Sequence, residues 1–333
     1  MISKSSSRRG ALVLAAALAG ALTLTACGSG NDSGDGKDSG AKGGKGTDKS
    51  ATKTVKTAMG DVPVAEKPQR VVVLDTAELD SVITLGVKPV GATRTDTASG
   101  FPEHLPKDMV DGVKLVGEQP DPNLETIAAL DPDLILTSKL RHGDKYEQLK
   151  AIAPTVMTES TGLPWKENFL KHAEALGKEA EAKQAVAGYQ ARTAELTKAL
   201  GGKEKAAATT VNMVRFIEGA DIRIYGKENY IGTILADVGL GRPAITDEAE
   251  DGFMVNVSPE KIDSADADVI FHSTIGDPKK AKATQVLGGP LWKNLGAVKK
   301  GDVFPVKDEL WIQGIGYTAA GLILDELEKS LVK

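Results

Sequence analysis

One pattern occurs twice in this chain and narrows what it can fold into. Asn123-Leu-Glu-Thr-Ile-Ala-Ala-Leu-Asp-Pro-Asp-Leu-Ile-Leu136 aligns without gaps on Ser258-Pro-Glu-Lys-Ile-Asp-Ser-Ala-Asp-Ala-Asp-Val-Ile-Phe271. Each copy reads as a capping residue, a first-turn Glu, an Ile, then Asp-x-Asp entering an apolar run. Asn and Ser are good N-caps, and Pro259 takes the favoured first helical position. A helix-to-strand unit that recurs implies two related α/β lobes.

The rest of the chain fits that scheme. Arg70–Leu74, Lys88–Ala92, Lys114–Val116 and Leu134–Thr137 read as strands, with helices predicted over 75–85, 123–130 and 144–152. Strands alternating with helices imply parallel βα units. Lys166–Leu200 has no Pro and two Gly and reads as one helix of about 35 residues, about 50 Å long at 1.5 Å per residue. Gly201-Gly202 ends it. Thr209–Phe216, Ile222–Tyr225, Val269–His272 and Val303–Val306 supply strands for a second lobe, with helices over 229–238 and 314–331. The expected fold class is α/β: two lobes with parallel-type sheets, 54–164 and 203–333, joined by one long helix over 165–202.

The N-terminus carries an address. Lys4, Arg8 and Arg9 precede an apolar run from Ala11 to Thr25, and Leu24-Thr25-Ala26-Cys27 closes it. A run of about 15 residues is shorter than the ~20 needed to span hydrocarbon, so 1–26 reads as a signal peptide. The closing tetrad matches a bacterial lipobox, whose Cys is lipidated and becomes the new N-terminus. Acyl chains on Cys27 would hold the protein at the extracytoplasmic face of the cell membrane. From Gly28 to Lys53 the sequence is nearly devoid of apolar residues and reads as a tether.

Composition removes several function classes. With 41 Lys+Arg against 46 Asp+Glu, the chain lacks the basic excess that nucleic acid requires. A single Cys excludes an internal disulfide and a multi-thiolate metal centre. His104, His142, His172 and His272 form no paired metal motif, and Gly314-Ile-Gly316 lacks the third Gly of a dinucleotide loop. No nucleophile elbow or phosphate loop is present. The expected chain is therefore not an enzyme and needs no cofactor of its own.

From about Thr54 onward the chain resembles the substrate-binding lipoproteins of ATP-driven iron–siderophore importers. The resemblance rests on Pro68-Gln-Arg-Val-Val-Val-Leu, Leu85-Gly-Val-Lys-Pro-Val-Gly, Pro122-Asn-Leu-Glu125, Leu130-Asp-Pro-Asp-Leu-Ile-Leu and Tyr225-Gly…Ile234-Leu…Gly239-Leu, in that order. It implies a ligand cleft between the lobes and a ferric siderophore as cargo. The implied partner is an ABC permease dimer with its ATPase, served by a monomer. Haem and vitamin B12 (corrinoid) binders share the fold and are the alternative. A surface enzyme or adhesion lipoprotein is the reading from another class. A ferric siderophore brings its own iron ligands, so the cleft must supply donors and apolar walls.

Arg141 follows a strand at the usual cleft edge, where relatives place a ligand-contacting Arg with a Tyr five residues on, here Tyr146. Gln119 lies in a loop where some relatives use Arg. Arg215 and Arg223 flank Gly219 in a hairpin. Tyr230 stands where some catecholate binders have Arg, and this set favours a hydroxamate. Phe253 and Trp311 fall in loops that face the cleft in relatives, with core packing as the alternative for each; Trp292 reads as core. Glu125 and Glu260, one per repeat, are either helix-start carboxylates or a pair that docks on the permease.

Overall fold

The computed structural model describes residues 51–95 and 100–332. Cys27, the lipobox and most of the tether lie outside the described residues. No helix among the described residues is long and apolar enough to cross a membrane.

Order begins earlier than the expected tether boundary. Strand β1 (Thr52–Thr57) pairs antiparallel with β2 (Gly60–Ala65), so Thr52 and Lys53 already belong to the fold. Alternation explains why: Val55, Val62 and Val64 face inward and are buried, while polar neighbours face out.

The first main sheet has six strands in the order β6-β5-β4-β3-β7-β8. They are β3 (Val71–Val73), β4 (Gly91–Arg94), β5 (Lys114–Glu118), β6 (Asp121–Pro122), β7 (Leu134–Ser138) and β8 (Thr155–Thr158). All neighbours pair in parallel except β6, which runs antiparallel to β5. β3 and β7 are buried throughout, as expected for parallel strands covered on both faces. Helix α1 (Thr76–Thr84) leaves the end of β3.

The expected 35-residue helix is two helices. α2 (Trp165–Leu176) ends at Gly177, whose φ of 67° is left-handed, and α3 (Glu179–Ala199) starts again after Lys178. The Lys178 N–H donates to the Ala173 carbonyl at 2.9 Å, a closing pattern that stops a helix and that Gly permits. A Cβ at residue 177 would lie 2.5 Å from the Glu66 carbonyl oxygen. High helix propensity on both sides concealed the break.

The second sheet, β11-β10-β9-β12-β13, is mixed and not purely parallel. β9 (Val211–Ile217), β12 (Val269–Ile275) and β13 (Val303–Pro305) run parallel. β10 (Ile222–Tyr225) and β11 (Met254–Val257) are antiparallel additions. The β9–β10 turn carries Gly219 at φ 75°, as the hairpin reading required. Helices α4 (Tyr230–Val238) and α5 (Tyr317–Leu331) complete the frame. One continuous apolar cluster runs from Val71 and Val73 through Trp165, Phe169 and Tyr189 to Val211, Met213 and Phe271, so a shared core joins the two sheets.

Candidate functional site

A cavity of about 460 Å³ receives residues from both sheets. The first sheet contributes through the C-terminal ends of its parallel strands: Thr76 after β3, Thr95 after β4, Gln119 after β5 and Arg141 after β7. That end of an α/β sheet gathers ligand groups because loops there are free of strand pairing. The second sheet contributes Arg215 from β9, Arg223 and Tyr225 from β10, and Ile275 from β12.

Each lobe holds one cleft arginine on a buried carboxylate. On the first side, Arg141 Nε donates to Asp75 Oδ2 at 2.9 Å, and the Asp75 side chain is fully buried. The Gln119 amide also donates to Asp75. Asp75 is the N-cap residue of α1 yet makes no side-chain cap bond. Its carboxylate is turned to the cleft, against the usual preference for closing its own helix. On the second side, Arg215 grips Asp308 with two bonds, Nε to Oδ1 at 2.6 Å and Nη2 to Oδ2 at 2.7 Å. Ser273 and Gln313 donate to the same carboxylate at 2.9 and 2.8 Å. Burial opposes the Arg215 charge, but the bonds to Asp308 outweigh it and hold the guanidinium above its ordinary range.

Arg223 is different. It sits directly across the ladder from Arg215, forms no ion pair among the described residues, and its buried Nε has no hydrogen-bond partner. Like charges opposite each other on a sheet repel. An unpaired guanidinium in a cavity therefore marks a place for an anion.

The structure brings seven of the eight candidate residues to this cavity: Arg141, Gln119, Arg215, Arg223, Tyr230, Phe253 and Trp311. Their exposure divides them. Phe253 is 44% exposed on the rim, whereas Trp311 is fully buried, stacks on Phe271 at 4.5 Å and donates to Glu326 at 2.6 Å. Trp311 is thus mainly core. Tyr230 is also buried: its hydroxyl donates to the Gly316 carbonyl at 2.7 Å, and burial raises its pKa. Tyr146 does not reach the cavity; it packs with Val72, Leu74 and Leu149 in a separate core cluster. It opens a separate helix, Tyr146–Ile152, after the 3-10 stretch Gly143–Lys145, and that helix buries it. Trp292 is core, as read from sequence.

Sequence reasoning missed Asp75, Asp308 and Tyr225, whose hydroxyl lies 3.2 Å from Arg215. A polar residue directly after the apolar Val71–Leu74 run was the available signal for Asp75. None of the four His shares a metal-type cluster among the described residues. His142 bonds Thr137 and the Gln119 carbonyl, each at 2.7 Å, and so anchors the Gln119 loop.

Behind Asp75 lies a buried titratable pair. Glu78 Oε1 is 3.7 Å from His172 Nε2, and neither side chain has a hydrogen-bond partner. Burial first, then the nearby Asp75 charge, pushes Glu78 up to about 8. Burial lowers His172 to about 3, and it raises Asp80 only to about 6. Between pH 6.5 and 8 the folded Glu78 keeps a proton that the unfolded chain has lost. Stability therefore falls with rising pH across that window, by about 2 kcal/mol for one proton. Urea midpoints for wild type and Glu78→Gln at the two pH values measure this. The variant should show a flat response, and an unchanged slope would remove Glu78 as the cause.

The residues 71–310 match the family described as periplasmic binding protein. The chain belongs to that family. The "Probable siderophore-binding lipoprotein YfiY" of Bacillus subtilis is 37% identical over 322 residues, covering 94% of this chain and 95% of the relative. The iron(3+)-hydroxamate-binding protein FhuD of the same organism is 30% identical over 305 residues, 88% of this chain and 87% of FhuD. The crystal structure of Staphylococcus aureus SirA complexed with staphyloferrin B superposes with a TM-score of 0.76 at 34% identity, covering 84% of this chain and 98% of that one. These matches bear out the resemblance to iron–siderophore importer binding proteins and the two-lobed α/β fold. Proteins of this family bind substrates for transport and are not enzymes.

Proposed function

We propose that this protein captures a ferric siderophore outside the cytoplasm and delivers it to an ABC permease for iron uptake. The observation that carries the reading is the cleft itself, with Arg141, Arg215 and Arg223 converging on one cavity. A chelate that arrives with its iron already coordinated needs such donors and no protein metal ligand. In our reading Cys27 anchors the chain by lipid, and the protein works as a monomer. Glu125 and Glu260 meet basic sites on a permease dimer.

The names of the relatives carry different ligands, staphyloferrin B for SirA and iron(3+)-hydroxamate for FhuD, so the ligand class is argued from the cleft. Asp75 and Asp308 neutralise two of the arginines, while Arg223 is left without an ion pair among the described residues. That residual cation favours a chelate of negative charge, such as a hydroxycarboxylate complex, over the hydroxamate preferred from sequence. Tryptophan-quenching titrations against ferric citrate, ferrioxamine B, haem and cobalamin test both levels. Ferric citrate should bind more tightly than ferrioxamine B. Arg223→Gln should weaken ferric citrate by roughly 1–3 kcal/mol, the scale of a lost charged hydrogen bond, and leave ferrioxamine B nearly unchanged. Tighter ferrioxamine B binding would restore the hydroxamate reading. Saturable binding of haem or cobalamin alone would replace the siderophore reading.

A further inference from the structure

Between the two arginine clamps lies a polar connection through Thr76 and Gln313. The Thr76 hydroxyl, at the first turn of α1, donates to the Gln313 carbonyl at 2.8 Å and lies 3.2 Å from Asp75 Oδ1. The Gln313 side-chain amide donates to Asp308 Oδ2 at 2.8 Å. Asp75 holds Arg141 and Asp308 holds Arg215. Arg141 follows a strand of the first sheet, and Arg215 lies in a strand of the second. Asp75 is joined to Thr76 by the chain itself, the Thr76 proton goes to the nearer Gln313 carbonyl, and from there the connection reaches Asp308 through the Gln313 side chain along the cavity wall.

The geometry points to Thr76 and Gln313 as positioning residues that tie the two clamps together, so that Arg141 and Arg215 present a fixed span to one ligand. This rests on the proposed binding of a ferric chelate in the same cavity. The physical ground is the guanidinium itself: a planar fork recognises an anion only if its plane is aimed. Arg141 is anchored through Nε, so its aim follows Asp75. Arg215 is anchored at Nε and Nη2, so its aim follows Asp308. The shared core already holds the two sheets together, and joining the anchors fixes the finer aim of the two arginines, because groups within one hydrogen-bond network couple energetically. Thr76 is 6% exposed as a residue, so water competes little for its hydroxyl.

The test separates the hydroxyl from the bulk. Thr76→Val keeps the shape and loses the donor; Thr76→Ser keeps the donor and loses a methyl group. Gln313→Met keeps length and loses the donor to Asp308. Ferric citrate is the probe, with thermal unfolding as the check on folding. Thr76→Val and Gln313→Met should each weaken ferric citrate about tenfold, the effect of one network hydrogen bond. Thr76→Ser should stay within about twofold of wild type. A packing role would reverse the order of the two Thr76 variants and overturn the proposal. A second readout needs no ligand: arginine Nε–H resonances in the free protein. Thr76→Val should move the signals of both Arg141 and Arg215. Movement of Arg141 alone would show that the connection stops at Thr76 and would also overturn it. If wild type binds no ferric chelate, the functional reading falls, while the resonances still decide whether the two clamps are joined.

Discussion

Asp308→Ala is expected to cost about 3–5 kcal/mol of folding stability, the usual effect of removing one partner from a buried ion pair. The pair qualifies because the Arg215 and Asp308 side chains are only 12% and 7% exposed. Without Asp308, the Arg215 cation keeps its burial and loses both short bonds. Ser273 and Gln313 lose their acceptor at the same time. In a chain of this size that corresponds to a fall in Tm of roughly 5–8 °C. Differential scanning calorimetry of Asp308→Ala, Arg215→Leu and the double Asp308→Leu with Arg215→Leu measures it. The double variant should recover much of the loss, since no uncompensated charge remains. A double variant as unstable as Asp308→Ala would show that packing, and not the isolated charge, sets the cost.

Charge reversal at Glu125 and Glu260 is expected to abolish uptake while leaving ligand capture intact. Glu125 stands in the first turn after the Asn123 cap, whose side chain accepts from the Thr126 N–H at 2.8 Å. Glu260 stands in the first turn of the 3-10 stretch Pro259–Ala265, and its own N–H and the Ser258 hydroxyl hold its pKa down. Both residues are exposed and neither lines the cavity. On our reading they meet basic sites on the permease, so Glu125→Arg with Glu260→Arg turns two attractions into repulsions. Ferric citrate should bind the double variant as it binds wild type, and iron uptake by cells carrying it should fail. The helix-dipole reading predicts instead a slight loss of stability and normal uptake. Normal uptake would return both residues to a local role at their helix starts.

Much of the fold was legible because it is written in local patterns. β3 announces itself as a β-branched run and β7 as a short apolar one, and the Asn123 cap and the Gly219 hairpin follow from turn and cap chemistry. The second repeat departs from the first: Pro259–Ala265 is a 3-10 helix, whereas Leu124–Ala129 of the first is α. The break at Gly177 was hidden because both flanks favour helix and a single Gly occurs inside helices as well as at their ends; only the placed chain shows the left-handed turn and the Glu66 carbonyl beside it. At the site, residue type and loop position sufficed to gather the arginines, Gln119 and Phe253. They did not show that Trp311 and Tyr230 face mainly inward, because burial depends on neighbours such as Phe271 and Gly316, distant in sequence. Asp75 and Asp308 were missed for the same reason. A carboxylate at a helix start looks local until its partner, 66 or 93 residues away, is placed beside it.

The corner at Gly177 also changes how the two sheets are linked mechanically. A straight helix over 166–200 would act as a single shaft of about 50 Å, passing torque from one end to the other. Instead there are two levers, of about 18 and 32 Å at 1.5 Å per residue for their 12 and 21 residues. Their shared corner abuts the Glu66 backbone at the end of the β1–β2 hairpin. The two levers therefore meet at a corner seated on the hairpin, and the continuous connections between the sheets are the shared core and the cleft hydrogen bonds.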